Sequence, residues 1–270
     1  MLEIRGAVKT FFSGTPNEVR ALQGVDLDVE PGSFTIVVGT NGSGKTTLQS
    51  AIAGSYRLDR GRIAIAGVDV TEWPEHRRAR FLGRVFQNPF SGTAPDLTVA
   101  ENLALAARRG ERRGLGFALT ARARGEMRER VRRLGMGLED RLDNAIGTLS
   151  GGQRQALTLL IATWKRPEIL LLDEHTAALD PRSADQVIRL SDEVIASERL
   201  TALMVTHSMQ QAVNLGDRLV MMHRGRVLHD LRGAEKRRLR VEHVLARFDE
   251  VRRAEQLDER AAEMLRERYV

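Results

Sequence analysis

The stretch Gly39-Thr40-Asn41-Gly42-Ser43-Gly44-Lys45-Thr46 fits G-x-x-x-x-G-K-[ST], and it leaves few folds open to this chain. Such a loop cradles phosphate only when it runs from a buried strand into a helix. Phe34–Val38 supplies a short β-rich apolar run for the strand, and Lys45–Ala53 reads as a helix closed by Gly54. Glycines let backbone N–H groups approach a phosphate without a side chain in the way. The helix beginning at Lys45 adds the positive end of its dipole. The Lys45 ammonium can reach the β and γ phosphates, and the Thr46 hydroxyl is placed to ligate Mg²⁺. Asn41, Gly42, Ser43 and Thr47 complete the same turn. The motif therefore predicts an α/β P-loop core holding a nucleoside triphosphate and Mg²⁺.

A second run, Ile169 to Asp173 followed by Glu174, predicts an apolar strand ending in two carboxylates. A buried strand would deliver Asp173 to the carboxyl edge of the sheet, beside the phosphate loop. There Asp173 can hold the metal and Glu174 can orient a water for attack.

Around these motifs the pattern changes twice. "ALQGVDLDV" alternates Leu22, Val25, Leu27 and Val29, which predicts a half-buried antiparallel strand; Arg62–Ile65 and Arg84–Gln87 are further strand candidates. Residues from about Asn88 to Arg166 read as a helical insert: a capping box at Thr98 and Glu101, a helix from Thr120, and one from Gly151 to Lys165. Strands and helices then alternate again through "TALMVT" and a hairpin at Arg224-Gly225. The predicted domains are a catalytic unit over residues 1–233, with the insert at about 88–166, and a charged helical extension over 234–270. In the extension Leu239, Val241, Val244, Leu245 and Phe248 are placed on one helical side, to pack on the core or on a second subunit.

The motif order "GTNGSGKT", "VFQN", "LSGGQRQ", "ILLLDE", "AALD" and "VTH" resembles the ATP-binding subunits of ABC transporters, over about Leu2 to His229. That resemblance implies a mixed sheet flanked by helices, with an antiparallel β subdomain and the inserted helical one. It also implies that two such subunits pack head to tail, with the LSGGQ helix of each meeting the ATP held by the other. Ser150, Gly151, Gly152 and Gln153, at a helix start, would thus serve a second nucleotide, and two identical chains would form two composite sites.

By position in the family pattern, Phe11 corresponds to the aromatic that stacks on adenine, with Phe12 the competing choice. Gln87 corresponds to the residue that senses Mg²⁺ and the attacking water. Asp180 corresponds to the residue that crosses the dimer interface, and His207 to the histidine that contacts the γ-phosphate. His175 stands where most relatives place proline, and no catalytic role is assigned to it. The partners implied are a second copy or a closely related ATPase subunit, integral-membrane permease subunits and an extracytoplasmic solute-binding protein. "DEHTAALDP" points toward importers of amino acids or similar small solutes, at the cytoplasmic face of the inner membrane.

Bulk properties prune the alternatives. The absence of cysteine excludes disulfides and thiolate metal sites. No apolar run approaches the roughly 20 residues a membrane helix needs, so a membrane role must come through a partner. Lys plus Arg number 42 against 36 Asp plus Glu, a net +6, and both signs are interspersed. The insert carries Arg108, Arg109, Arg112, Arg113, Arg122, Arg124, Arg128, Arg130, Arg132 and Arg133. This is either a solvated face with i,i+4 pairs or a surface near anionic lipid headgroups. Interleaved aromatics are missing, so direct nucleic-acid binding is not expected. A soluble relative acting on ribosomes or DNA is the alternative function. Such proteins carry two cassettes or a long coiled coil, and this chain has one cassette and no sustained heptad run. A P-loop GTPase or kinase is disfavoured by "LSGGQ" and by the lack of an N-K-x-D stretch.

Overall fold

The computed structural model describes residues 1–111, 118–251 and 253. Arg112, Arg113 and the extension from residue 254 lie outside the described residues. In chain order the strands are β1 (Leu2–Phe11), β2 (Val19–Val29), β3 (Phe34–Gly39), β4 (Arg60–Ile65), β5 (Val68–Asp69), β6 (Leu82–Val85), β7 (Ile169–Asp173), β8 (Ala202–Val205), β9 (Arg218–His223) and β10 (Arg226–Arg232). The helices are α1 (Lys45–Ala53), α2 (Glu75–Arg78), α3 (Val99–Ala107), α4 (Ala121–Arg132), α5 (Gly151–Thr163), α6 (Pro181–Ser197), α7 (Met209–Asn214) and α8 (Gly233–Arg237).

Two sheets divide the strands. An antiparallel sheet runs β2-β1-β4-β5, and a six-stranded sheet runs β10-β9-β3-β8-β7-β6, parallel except for the β10 edge. In β2 the buried Leu22, Val25, Leu27 and Val29 break strict alternation between Leu22 and Val25. The pairing absorbs this as a bulge: Ala7 faces Val25 and Val8 faces Gln23, leaving Gly24 at φ 81° as the extra residue. Apolar faces of both sheets close on α1 in one buried cluster that includes Leu22, Val37, Leu48, Ile52 and Leu171. A second cluster covers the opposite face of the parallel sheet, and a third joins Val99, Leu103, Met127, Val131, Leu157 and Trp164 of α3, α4 and the α5 region.

The parallel order matters because it puts the carboxyl ends of its strands at one edge, where α/β folds place ligands. β3 opens there into the phosphate loop, β7 into Asp173 and Glu174, and β8 into Thr206 and His207. β6 is shifted from the Arg84–Gln87 expectation and stops at Val85, so Gln87 lies on an exposed bend beyond it. Just past the strand, Gln155 on α5 donates its Nε2–H to the Phe86 carbonyl at 3.1 Å.

The extension packs on the core. Leu239, Val244 and Phe248 are buried in the second cluster beside Ile195 and Leu200, and residues 241–251 are helical. Leu245 points outward, because Val244 and Phe248 at i,i+4 define the packed face and Leu245 lies a hundred degrees from Val244. The arginine-rich insert is also less uniform than a solvated face. Arg109 donates to the Ala162 and Lys165 carbonyls, and Arg130 stacks on Trp164 while donating to its carbonyl. These guanidiniums satisfy the exposed C-terminal carbonyls of α5.

Candidate active site

The phosphate loop closes on itself through Lys45. Its side chain is nearly buried, and Nζ donates to the Gly39 carbonyl at 2.9 Å and to the Thr40 carbonyl at 3.0 Å. Burial lowers the Lys45 pKa, and the negative charges of Glu174 and Asp173 oppose that shift. Gly44, at φ 96°, forms the N-cap of α1, and no side chain caps that helix. Two glycines are required by their surroundings: a Cβ on Gly39 would collide with the Met222 carbonyl, and one on Gly44 with the Ala21 carbonyl.

A cavity of about 340 Å³ opens over this loop. Phe11, Val19 and Ala21 line one end; Asn41, Gly42, Ser43, Gly44, Lys45, Thr46, Thr47 and His207 line the rest. Phe11 is held there by an edge contact with Tyr56, centroid distance 5.1 Å. Phe12 is 68% exposed, with a φ of 53°, and does not line the cavity. An aromatic face at one end and a ring of N–H groups and an ammonium at the other suit a purine nucleotide lying along the cavity.

Beyond the loop, Glu174 and His207 meet: Nε2 of His207 lies 2.7 Å from Oε1 of Glu174. They come from neighbouring strand ends, since Asp173 pairs with Val205 and the Glu174 N–H donates to the Val205 carbonyl at 3.0 Å. Glu174 takes a left-handed backbone, φ 42°, which costs a non-glycine residue about 1–3 kcal/mol and bends its carboxylate away from the strand line. Burial raises the Asp173 pKa and the charge of Glu174 adds to it, while Arg84, Lys45 and His207 pull the other way. A hard dication beside it would favour the ionised form. Asp173 and the Thr46 hydroxyl are oxygen donors of the type Mg²⁺ takes. Gln87 does not line the loop cavity in this chain.

The second glycine-rich start stands apart. Ser150 caps α5: its Oγ accepts from Gln153 N–H at 3.3 Å, and Gln153 Oε1 accepts from Ser150 N–H at 3.2 Å. None of Ser150, Gly151, Gly152 or Gln153 lines the phosphate cavity. The glycines also have duties within the chain. A Cβ on Gly152 would sit 2.9 Å from Ser183 Cβ, and one on Gly151 would sit 3.1 Å from Leu179. Asp180 caps α6 by accepting from Ser183 N–H at 3.1 Å, and this bonding holds its pKa low.

Several organising residues escape a motif reading. Arg154, in the first turn of α5, donates to the Ile146, Gly147 and Leu149 carbonyls and stacks on Phe90 at 3.7 Å. Gln211 accepts from Thr206 and donates to Thr176, tying the segment before His207 to the turn after Glu174. Arg78 is fully buried and donates to the Ala51 and Ile52 carbonyls at the end of α1. A charged residue reads as surface unless its partners are known, and these partners are main-chain carbonyls that carry no sequence signal. His175 is buried as well, and burial lowers its pKa to about 4.

A phosphate loop, an acidic strand end on the same edge of the sheet and a base-sized aromatic lip define a P-loop nucleoside triphosphatase. The family model for the ABC transporter matches residues 22–177. The chain is similar to a tyrosine transport ATP-binding protein of Clostridioides difficile, 38% identical over 92% of this chain and 99% of that one. It is also similar to a lipoprotein-releasing system ATP-binding protein of Caulobacter vibrioides, 40% identical over 86% of this chain and 96% of that one. Among solved structures, a dimeric ATP-binding cassette in a post-hydrolysis state with ADP and Pi superposes with TM-score 0.73 at 25% identity, covering 86% of this chain and 98% of that one. The chain belongs to the ABC transporter family. It is an ATP-hydrolysing subunit that uses ATP with Mg²⁺, in a family whose cassettes dimerise and work with membrane partners.

Proposed function

We propose that this chain powers the import of an amino acid or similar small solute, by closing as a dimer on two ATP molecules and reopening after hydrolysis. In this reading Phe11 stacks on the base. Gly39, Asn41, Gly42, Ser43, Gly44 and Thr47 wrap the phosphates, and Lys45 neutralises them. Thr46, Asp173 and Gln87 would hold Mg²⁺, which would supply further charge neutralisation. Glu174 orients water; the water oxygen bonds to the γ-phosphorus as the bond from that phosphorus to the bridging oxygen breaks, and ADP, inorganic phosphate and the proton lost by the water are released. His207 holds the Glu174 carboxylate and meets the γ-phosphate. Ser150, Gly151, Gly152 and Gln153 of a second copy close the site, with Asp180 at the interface. Residues 1–233 form the catalytic unit, 88–166 its helical insert and 234–270 an appended segment. The assembly includes permease subunits, works at the cytoplasmic face of the membrane and takes its solute from an extracytoplasmic binding protein. The tyrosine transport relative supports the solute class.

One observation carries the reading: Glu174 and His207 meet at the edge that holds the loop cavity, while none of Ser150–Gln153 lines that cavity. A second anion-ready helix start outside the first site implies a second molecule to use it. Glu174→Gln is expected to cut steady ATP hydrolysis by at least about a hundredfold, roughly 2.7 kcal/mol, while Mg-ATP binding persists and ATP-dependent dimers accumulate. Ser150→Arg is expected to keep ATP binding by the single subunit and to abolish those dimers in light scattering. Dimers that form normally in Ser150→Arg would refute the shared site. Solute identity is tested by ATPase stimulation in vesicles carrying the permease, with tyrosine and other amino acids offered in turn.

A further inference from the structure

The residue after Glu174 has no part in the roles above, yet it is among the most deeply buried polar side chains of the protein: His175 is 1% exposed. Its Nε2 lies 3.0 Å from Ser191 Oγ, in the second half of α6. Ser191 donates its single hydroxyl proton to the Val187 carbonyl at 2.8 Å, so its oxygen has only lone pairs to offer. The imidazole must therefore carry its proton on Nε2 and donate it to Ser191. The opposite nitrogen, Nδ1, is buried without a hydrogen-bond partner. The ring is thus fixed at one tip, by one directional bond, to one helix.

That bond sits beside a backbone that needs holding. Glu174 occupies the left-handed region at φ 42°, a conformation that persists only where the surroundings determine it. Its N–H is tied to Val205 and its carbonyl accepts from Ala177 at 2.9 Å. The Val205 bond holds the start of the turn to the sheet, and the Gln211–Thr176 bond holds it to α7. The buried ring adds the anchor to α6, whose own start carries the Asp180 cap and sets Ser183 against Gly152.

We propose that His175 is a positioning residue for the hydrolytic carboxylate: its bond to Ser191 pins the turn after β7 to α6 and keeps Glu174 against His207. The proposal rests on the reading that Glu174 orients the attacking water.

The test is steady-state hydrolysis by the full-length chain carrying Ser191→Ala, His175→Phe, the two together, His175→Gln, or Glu174→Gln. Ser191→Ala and His175→Phe should each lower kcat at least fivefold with KM for Mg-ATP unchanged within twofold, because neither residue touches the phosphate loop. The double variant should be no worse than the lower single, since both remove one bond. His175→Gln, which retains an N–H donor, should recover most of kcat. Single variants within twofold of the parent kcat would overturn the proposal, as would losses that multiply in the double variant or a KM that rises as kcat falls. Ser191→Ala barely alters core volume and carries the test if His175→Phe does not fold. Glu174→Gln separates the two readings. Parent-like turnover there defeats the role of Glu174 itself; its loss alongside an unaffected Ser191→Ala defeats only the role of His175.

Discussion

The two glycine-rich helix starts of this chain share a spacing of small residues and differ in nearly everything else. At α1 no side chain caps the helix, Gly44 is left-handed, and the glycines are demanded by main-chain carbonyls of Met222 and Ala21. At α5 a complete capping box occupies Ser150 and Gln153, and the glycines are demanded by the side chains of Leu179 and Ser183. The first start lines the phosphate cavity. The second is finished as a helix, packs against α6 and the turn before it, and lines no part of that cavity. The protein's own packing demands glycine at both starts, through main-chain atoms at one and side chains at the other.

Substitutions can break that contrast. The largest effect is expected for Gly39→Ala, where the new methyl meets a carbonyl that cannot swing aside; ATP affinity should fall at least about a hundredfold, near 2.7 kcal/mol, measured by fluorescent-nucleotide titration of the monomer. Gly152→Ala should be milder, because α5 and α6 can part by a few tenths of an ångström, an overpacking cost of about 1–3 kcal/mol. It should weaken ATP-driven dimerisation about tenfold while leaving monomer affinity unchanged. A fall in monomer affinity would mean that the two starts are not independent. Phe11→Ala should raise KM for ATP by roughly five- to tenfold, the value of about 1–1.4 kcal/mol of lost stacking, with kcat little changed. Phe12→Ala should do neither. Smallest in stability terms, Ser150→Ala should cost about 1 kcal/mol as a lost cap, read as a shift in the urea midpoint.

Much of this was legible in the order of residues, and the reason is local. The bounds of α1 follow from Gly44 and Gly54, both left-handed, and the start of α3 from the Thr98–Glu101 box. Apolar runs marked β3 and β7 because strands buried on both faces need no alternation. What escaped was set by distant partners. Gln155 on α5 reaches the Phe86 carbonyl just past β6, and the α5 helix ends where Arg109 and Arg130 collect carbonyls at its C-terminus. The contact of His207 with Glu174 depends on β7 and β8 being neighbours, which the motifs do not state, and the bond joining His175 to Ser191 spans a turn and most of a helix and leaves no periodic trace.

The bond from Gln155 to Phe86 has a mechanical consequence. It fastens α5, one residue pair past its glycines, to the segment that immediately precedes Gln87. If the helix start meets a second copy as proposed, a tilt of α5 would pull on that segment through this bond, and α5 would act as a lever between the contact and the bend at Gln87.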